Sequence, residues 1–197
     1  MSVDITQLTR RTLSYLKALN KDGALLLSDE IDKLIPTVSE KSHFKACHEL
    51  FSIEKSRDTV LFVHKRSGAE IKADSSDLCK LVEKCDEACI VASTLGIESE
   101  RYIKRIMLTN ASEGVILDAL FSSYLECLTD EYEDSVIPCK HTFRFAPGYG
   151  DLDISYNKAF YDICDIEKKL SVTISSGGIL LPQKSMLGIV GLLRTDN

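Results

Sequence analysis

The chain has 197 residues, 44% of them hydrophobic and 27% charged, which is enough apolar surface for one sizeable core or two closely packed lobes. Its 30 acidic against 24 basic residues give a formal net charge of −6, whereas nucleic-acid and anionic-membrane binding both need dense positive charge. Neither nucleic acid nor membrane is therefore expected as a partner, and an anionic ligand needs a local cation.

No run approaches the roughly 18 apolar residues of a membrane span. The start MSVDITQLTRRTLSYLKAL carries acidic and polar residues where a secretory signal has an apolar centre, so a cytoplasmic location is expected. Seven cysteines, at 47, 79, 85, 89, 127, 139 and 164, include no Cys-x-x-Cys pair. Cys79, Cys85 and Cys89 come nearest to a cluster, and all seven read as small buried hydrophobes of a reducing compartment.

Taken in chain order, Ile5, Leu8, Leu13, Leu16 and Leu19 recur at helical spacing, and Asn20 to Gly23 reads as a stop. A second helix is expected from Ser28, as N-cap, to about Ile35, where Pro36 interrupts. HFKACHELFSI and TVLFVHKRSGAEI are extended segments fit to pair, the second broken by a turn at Ser67-Gly68. From Asp74 to Glu83 a short helix puts Leu78, Leu81 and Val82 on one face. Ala88 to Leu95 is an apolar run closed by Gly96, a buried strand.

Glu98 to Tyr132 is helical in pattern, with a break near Thr109-Asn110. Its most apolar part, Val115 to Leu128, is interrupted by Asp118, Ser122 and Glu126 at four-residue intervals. Three of the four prolines and six of the ten glycines lie beyond residue 135. This last third should hold a loop around FRFAPGYG, a short helix from Ser155 to Cys164, a strand SVTIS, a Gly177-Gly178 break and a final strand from Met186 to Leu193. Strands and helices mix without regular β-α-β alternation, which predicts an α+β fold. No linker or repeat marks a boundary, so residues 1–197 are read as a single domain.

The segment HTFRFAPGYGD carries the strongest chemical signal. Arg144 offers a permanent charge and a planar fork that matches a carboxylate or phosphate. Pro147 fixes one φ, Gly148 and Gly150 permit positive φ and open the backbone to a ligand, and Tyr149 adds a flat face. The same residues also suit a tight turn bearing a surface arginine. The Asp118, Ser122, Glu126 stripe suits the solvated face of an amphipathic helix, or a partner for a ligand ammonium or sulfonium. His43, His48, His64 and His141 are scattered without a metal-ligand pattern. Phosphate-loop and nucleophile-elbow motifs are absent, and no Ser/His/Asp order suggests a hydrolase.

FRFAPGYGDLDI, followed by LPQKSMLGIVGL, resembles the activation domain of cobalamin-dependent methionine synthase, with its Arg-x-x-Pro-Gly-Tyr motif and later Pro-x-x-Ser strand. VASTLGIESERYI and VILDALFSSYLECL look like the Thr-Leu-Gly strand end and Asp-Ala helix of its short, stand-alone members. The match spans about residues 80–193, while residues 1–75 match in element pattern alone.

The resemblance implies a bent antiparallel sheet with flanking helices that binds S-adenosylmethionine. It would support reductive methylation of cobalamin carried by a separate corrinoid protein, most simply a methionine synthase lacking this domain. The cobalt would be reduced by a flavodoxin-like or other reductase. Carried over, Arg144 holds the methionine carboxylate, the Ala146 backbone contacts the adenine, and Tyr149 lies near the methyl-donating end, with Pro147 and Gly148 shaping the loop.

Full-length members place Asp-x-x-x-Glu on the long helix, the Glu meeting the ligand ammonium. Here Ser122 follows Asp118, and Glu126 stands one turn further on. Gly150-Asp151-Leu152 follows the Gly-Tyr pair, as in the short forms. An adaptor that docks on a corrinoid protein without binding the nucleotide is the alternative, and an unrelated small-molecule sensor a third reading.

Overall fold

The computed structural model describes residues 3–193. The chain divides into two compact units, each assembled from three separate stretches. One takes residues up to Lys45, Thr94–Tyr132 and Pro182–Lys184, and the other Ala46–Ser93, Glu133–Leu181 and the chain from Ser185 on.

The first unit is helical. α1 (Ile5–Tyr15) starts where the Asp4 carboxylate accepts the N–H groups of Thr6 at 2.8 Å and Gln7 at 3.3 Å, and it buries Leu8, Thr12 and Leu13. It ends at Tyr15, just before Lys17 turns left-handed with φ 55°, and Asn20, read above as part of a stop, instead caps the next helix by accepting the Gly23 N–H at 2.7 Å. Stops and starts use the same small polar residues, so the pattern alone could not tell them apart.

That second helix, α2 (Lys21–Glu40), runs through both expected boundaries. Ser28 lies inside it and donates its hydroxyl to the Ala24 carbonyl at 2.6 Å. Pro36 is also interior. It removes one ladder hydrogen bond, a cost offset by fully buried Ile31 and Val38 on either side.

α4 (Ile97–Thr109) begins at Gly96, whose φ of 78° favours a residue without Cβ. α5 (Ala111–Val136) follows after the expected break at Asn110. It buries Leu117, Leu120, Phe121, Leu125 and Leu128, a set that covers more than one face. Its buried Ser123 and Thr129 hydroxyls donate to the carbonyls of Ala119 and Leu125 at 3.0 and 2.7 Å.

The second unit is built on a five-stranded antiparallel sheet in the order β3-β2-β1-β4-β7. β1 (Lys45–Ser56), β2 (Thr59–His64) and β3 (Glu70–Asp74) form an antiparallel meander with Ile53 opposite Phe62 and Val60 opposite Ala73. Their alternating apolar residues put Phe51, Phe62 and Ile71 into the core. β4 (Cys85–Thr94) and β7 (Ser185–Leu193) are continuous apolar runs, buried along most of their length.

Helices α3 (Ser76–Leu81), α6 (Tyr156–Ile163) and α7 (Ile166–Leu170) complete the unit with a small hairpin of β5 (Thr173–Ile174) and β6 (Leu180–Leu181). Phe160 of α6 meets Phe51 and Phe62 edge-on, with centroids 6.1 and 5.2 Å away. Residues 141–145 run beside β7, where Phe145 and Ile189 exchange two backbone hydrogen bonds of 2.9 and 2.7 Å. That ladder positions the arginine loop.

Candidate functional site

Arg144 leaves the ladder one residue before its last rung. Its aliphatic stem crosses β7 at Gly188, where any Cβ would collide with the Arg144 Cγ and Cδ atoms. A glycine inside a strand marks such a close approach. The guanidinium then donates from Nη1 to Glu133 Oε1. Only 14% of the Arg144 side chain and 6% of the Glu133 side chain are exposed. The turn reading is borne out, but the arginine is no surface residue. It is a half-buried cation with a buried carboxylate partner.

Beyond Arg144 the chain tightens. Tyr149 N–H donates to the Ala146 carbonyl at 3.0 Å, Gly148 N–H to Leu152 O at 2.8 Å, and Leu152 N–H back to Tyr149 O at 3.1 Å. Gly148 and Gly150 have φ of 95° and 54°, and both are exposed, while Pro147 is buried. Tyr149 is 60% exposed and touches Phe145 edge-on at 6.4 Å. The loop thus presents open backbone and an accessible aromatic face.

Asp151 anchors the far side of this loop. Its carboxylate accepts the Ser75 hydroxyl, the Ser76 N–H and hydroxyl at 2.8 Å each, and the Asp77 N–H at 3.3 Å. The Ser75 and Ser76 hydroxyls, then the two amides, hold it well below the usual carboxylate range. Glu133, Gly188 and Asp151 are the site residues that sequence reasoning missed. Gly188 gave a signal as a glycine within an apolar strand, and Asp151 only as the end of the HTFRFAPGYGD segment.

Ser122 and Glu126 belong to the helical unit, where each already has a partner. The Lys184 ammonium, on a residue only 8% exposed, reaches Ser122 Oγ at 2.7 Å, Asp118 Oδ1 at 2.8 Å and the Asp118 carbonyl at 2.9 Å. Glu126 accepts from Arg11 Nη1 at 3.3 Å and from the Tyr15 hydroxyl. The stripe is therefore a row of partly exposed polar groups, each paired within the chain. Arg144, Ala146, Pro147, Gly148 and Tyr149 share one loop.

The cysteines are unpaired in disulfides. Burial pushes the thiols of Cys47 and Cys127 up to about 11, and those of Cys89 and Cys164 up to about 12, so they stay protonated at neutral pH. Among the described residues, no group of three or more His, Cys, Asp or Glu side chains is placed to hold a metal ion. No helix of the described residues is long and apolar enough to cross a membrane.

No protein-family model matches the sequence, and no curated protein matches it. The fold, by contrast, is one already seen: the α+β arrangement is that of a solved reactivation domain. One match is to a crystal structure of the MetH reactivation domain bound to AdoHcy, with a TM-score of 0.68 at 14% identity, covering all of this chain and 78% of that one.

Proposed function

We propose that this protein binds S-adenosylmethionine at the Arg144–Tyr149 loop and supports reactivation of a corrinoid methyltransferase, such as a methionine synthase, carried on a separate chain. The observation behind this reading is the fold: the whole chain superposes on a reactivation domain described as bound to AdoHcy. AdoHcy is what remains of S-adenosylmethionine once its methyl group has left.

The loop fits such a ligand in kind. The Arg144 guanidinium supplies the permanent charge and planar fork that match a ligand carboxylate. The exposed Tyr149 ring offers a face to the ligand, and the exposed Gly148 and Gly150 let a planar base approach the backbone. When bound, S-adenosylmethionine supplies the methyl group that a reduced corrinoid on the partner accepts. The protein's own part is to bind and orient the donor, which is how positioning lowers a barrier.

A second reading is favoured by the ion pairs. Glu133 engages Arg144, Lys184 engages Asp118 and Ser122, and Arg11 engages Glu126. With each charge satisfied from within the chain, the protein could act as an adaptor that docks on a corrinoid protein and binds no nucleotide. Calorimetric titration of S-adenosylmethionine into the purified protein, Arg144→Ala and Tyr149→Ala separates the two. The reactivation role expects binding that Arg144→Ala weakens by about 2 kcal/mol, the cost of a lost charge-assisted hydrogen bond. Tyr149→Ala is the variant least exposed to folding effects, since that ring is mostly in solvent. Absence of heat with all three proteins leaves the adaptor.

A further inference from the structure

One polar cluster in the sheet unit, away from the arginine loop in sequence, is organised around His64. This residue ends β2 and is 4% exposed. Its Nδ1 lies 2.7 Å from Ser67 Oγ, and its Nε2 lies 3.0 Å from Glu49 Oε2. The neighbours assign the protons. Ala69 N–H donates to Ser67 Oγ at 3.3 Å, and an ionised carboxylate only accepts. The Ser67 hydroxyl therefore donates to Nδ1, and Nε2 carries the proton directed at Glu49.

The rest of the cluster holds this arrangement in place. The Phe51 ring lies against the imidazole with centroids 4.9 Å apart and planes 34° from parallel. Glu49 is 6% exposed, and its other oxygen accepts from Arg66 and Lys169. Burial alone would raise the Glu49 carboxyl. The Lys169 ammonium and the His64 ring outweigh burial, keeping the carboxyl below its usual range. Ser67 itself is exposed, in the turn between β2 and β3. Its chain neighbour Arg66 lines a pocket of about 370 Å³ with His48, Glu49, Leu50 and Lys65.

We propose that Ser67, His64 and Glu49 act as nucleophile, general base and orienting carboxylate toward small activated acyl esters, with the mostly exposed Arg66 favouring those that carry an anionic group. The roles follow from geometry: a nucleophile bonded to a base, and the base oriented by a third group. Ser67 Oγ bonds to the ester carbonyl carbon while its proton passes to His64 Nδ1, and the resulting imidazolium faces Glu49. Arg66 has N–H donors beyond the one on Glu49 and sits at the pocket to meet the developing oxyanion. The bond to the leaving oxygen then breaks, and the Nδ1 proton goes to that oxygen. Water attacks the acyl-serine with His64 again taking and returning the proton, which releases the carboxylic acid and restores Ser67.

A serine that merely caps the turn has the same hydrogen bonds without the reactivity. The test treats intact protein with a fluorophosphonate, whose P–F bond breaks as Ser67 Oγ bonds to phosphorus, and maps the label by peptide mass. A p-nitrophenyl ester with a carboxylate in its acyl chain is assayed in parallel. Expected is a label on Ser67 that Ser67→Ala abolishes, formed at a rate that climbs with pH to a plateau. His64→Gln should slow labelling and ester cleavage by about 10²-fold or more, the usual share of a general base. Because His64 is buried, its variant is read beside a melting curve. If that variant does not fold, the pH profile of the native protein decides. No label on Ser67, or a labelling rate that tracks hydroxide without levelling off, overturns the proposal.

Discussion

Arg144 and Arg11 each hold carboxylates of the same helix, α5, under opposite conditions. Arg144 keeps 14% of its side chain exposed and Glu133 6%. Arg11 keeps 28%, with Glu126 at 25% and Asp130 at 36%. In the first pair water has largely gone, so each charge depends on the other. In the second, solvent screens both partners and stands ready to replace either. The same chemical pair thus belongs to the architecture in one place and decorates it in the other.

The harshest way to break this comparison is to remove the strand that Arg144 lies on. Ile189 is fully buried in β7 and bonds through its backbone to Phe145. Ile189→Asp places a carboxylate in that core, a change worth far more than a small domain's margin of stability. No cooperative melting transition is expected by circular dichroism, and a soluble variant with a sharp transition would take β7 out of the core. Next in size is Arg144→Met, which keeps the stem over Gly188 but takes the guanidinium away from the buried Glu133 carboxylate. Removing one partner of a buried pair costs about 3–5 kcal/mol. With 14% of the arginine still exposed, the lower end, about 3 kcal/mol in urea denaturation, is expected. A loss under about 1 kcal/mol would make Arg144 energetically a surface residue and dissolve the contrast.

These predictions also mark where sequence patterns stop informing. The β1–β3 meander, β4, β7 and the Asn110 break were legible because alternation and apolar runs are local properties. Arg144 was legible as part of a Pro-Gly-Tyr-Gly turn, but its partner Glu133 was not, since a charged residue near a helix end has no mark of what it will meet. Helix α7 escaped because five residues between left-handed Asp165 and Ser171 are too short to show a period. β6, with two residues, escaped for the same reason. The two units left no compositional trace because their boundaries fall beside Lys45 at the start of β1, at Thr94 in β4, at Tyr132 within α5 and on either side of the three residues 182–184 between β6 and β7, none of them a long linker.

The arginine loop is tied down by Asp151 as well as by β7, and acid should loosen that tie selectively. Hydrogen bonds from Ser75 and Ser76 depress the folded pKa of Asp151 below its ordinary value near 3.9. A depressed carboxylate contributes stability that is fully present above that ordinary value and disappears as pH falls toward the folded one. Asp151→Asn should therefore be less stable than the native protein by a constant amount from pH 8 to about pH 5. The gap should narrow below about pH 4. A gap that does not change down to about pH 2.5 would mean that the charge of Asp151 is irrelevant to the cap.

The smallest effect is expected at Arg11. Its Nη2 meets Asp130 at 2.6 Å and its Nη1 meets Glu126 at 3.3 Å, yet exposed pairs of good geometry yield about 0.2–1 kcal/mol. Arg11→Ala should fall in that range and shrink further in 1 M salt, where the screening length drops to roughly 3 Å. When Arg11 is gone Glu126 keeps the Tyr15 hydroxyl as a donor and Asp130, 36% exposed, stays open to water, so neither carboxylate is stranded. A loss above about 2 kcal/mol, insensitive to salt, would place Arg11 in the same class as Arg144. An ion pair with about one quarter of each side chain exposed would then already be structural, and exposure would no longer be what separates the two arginines.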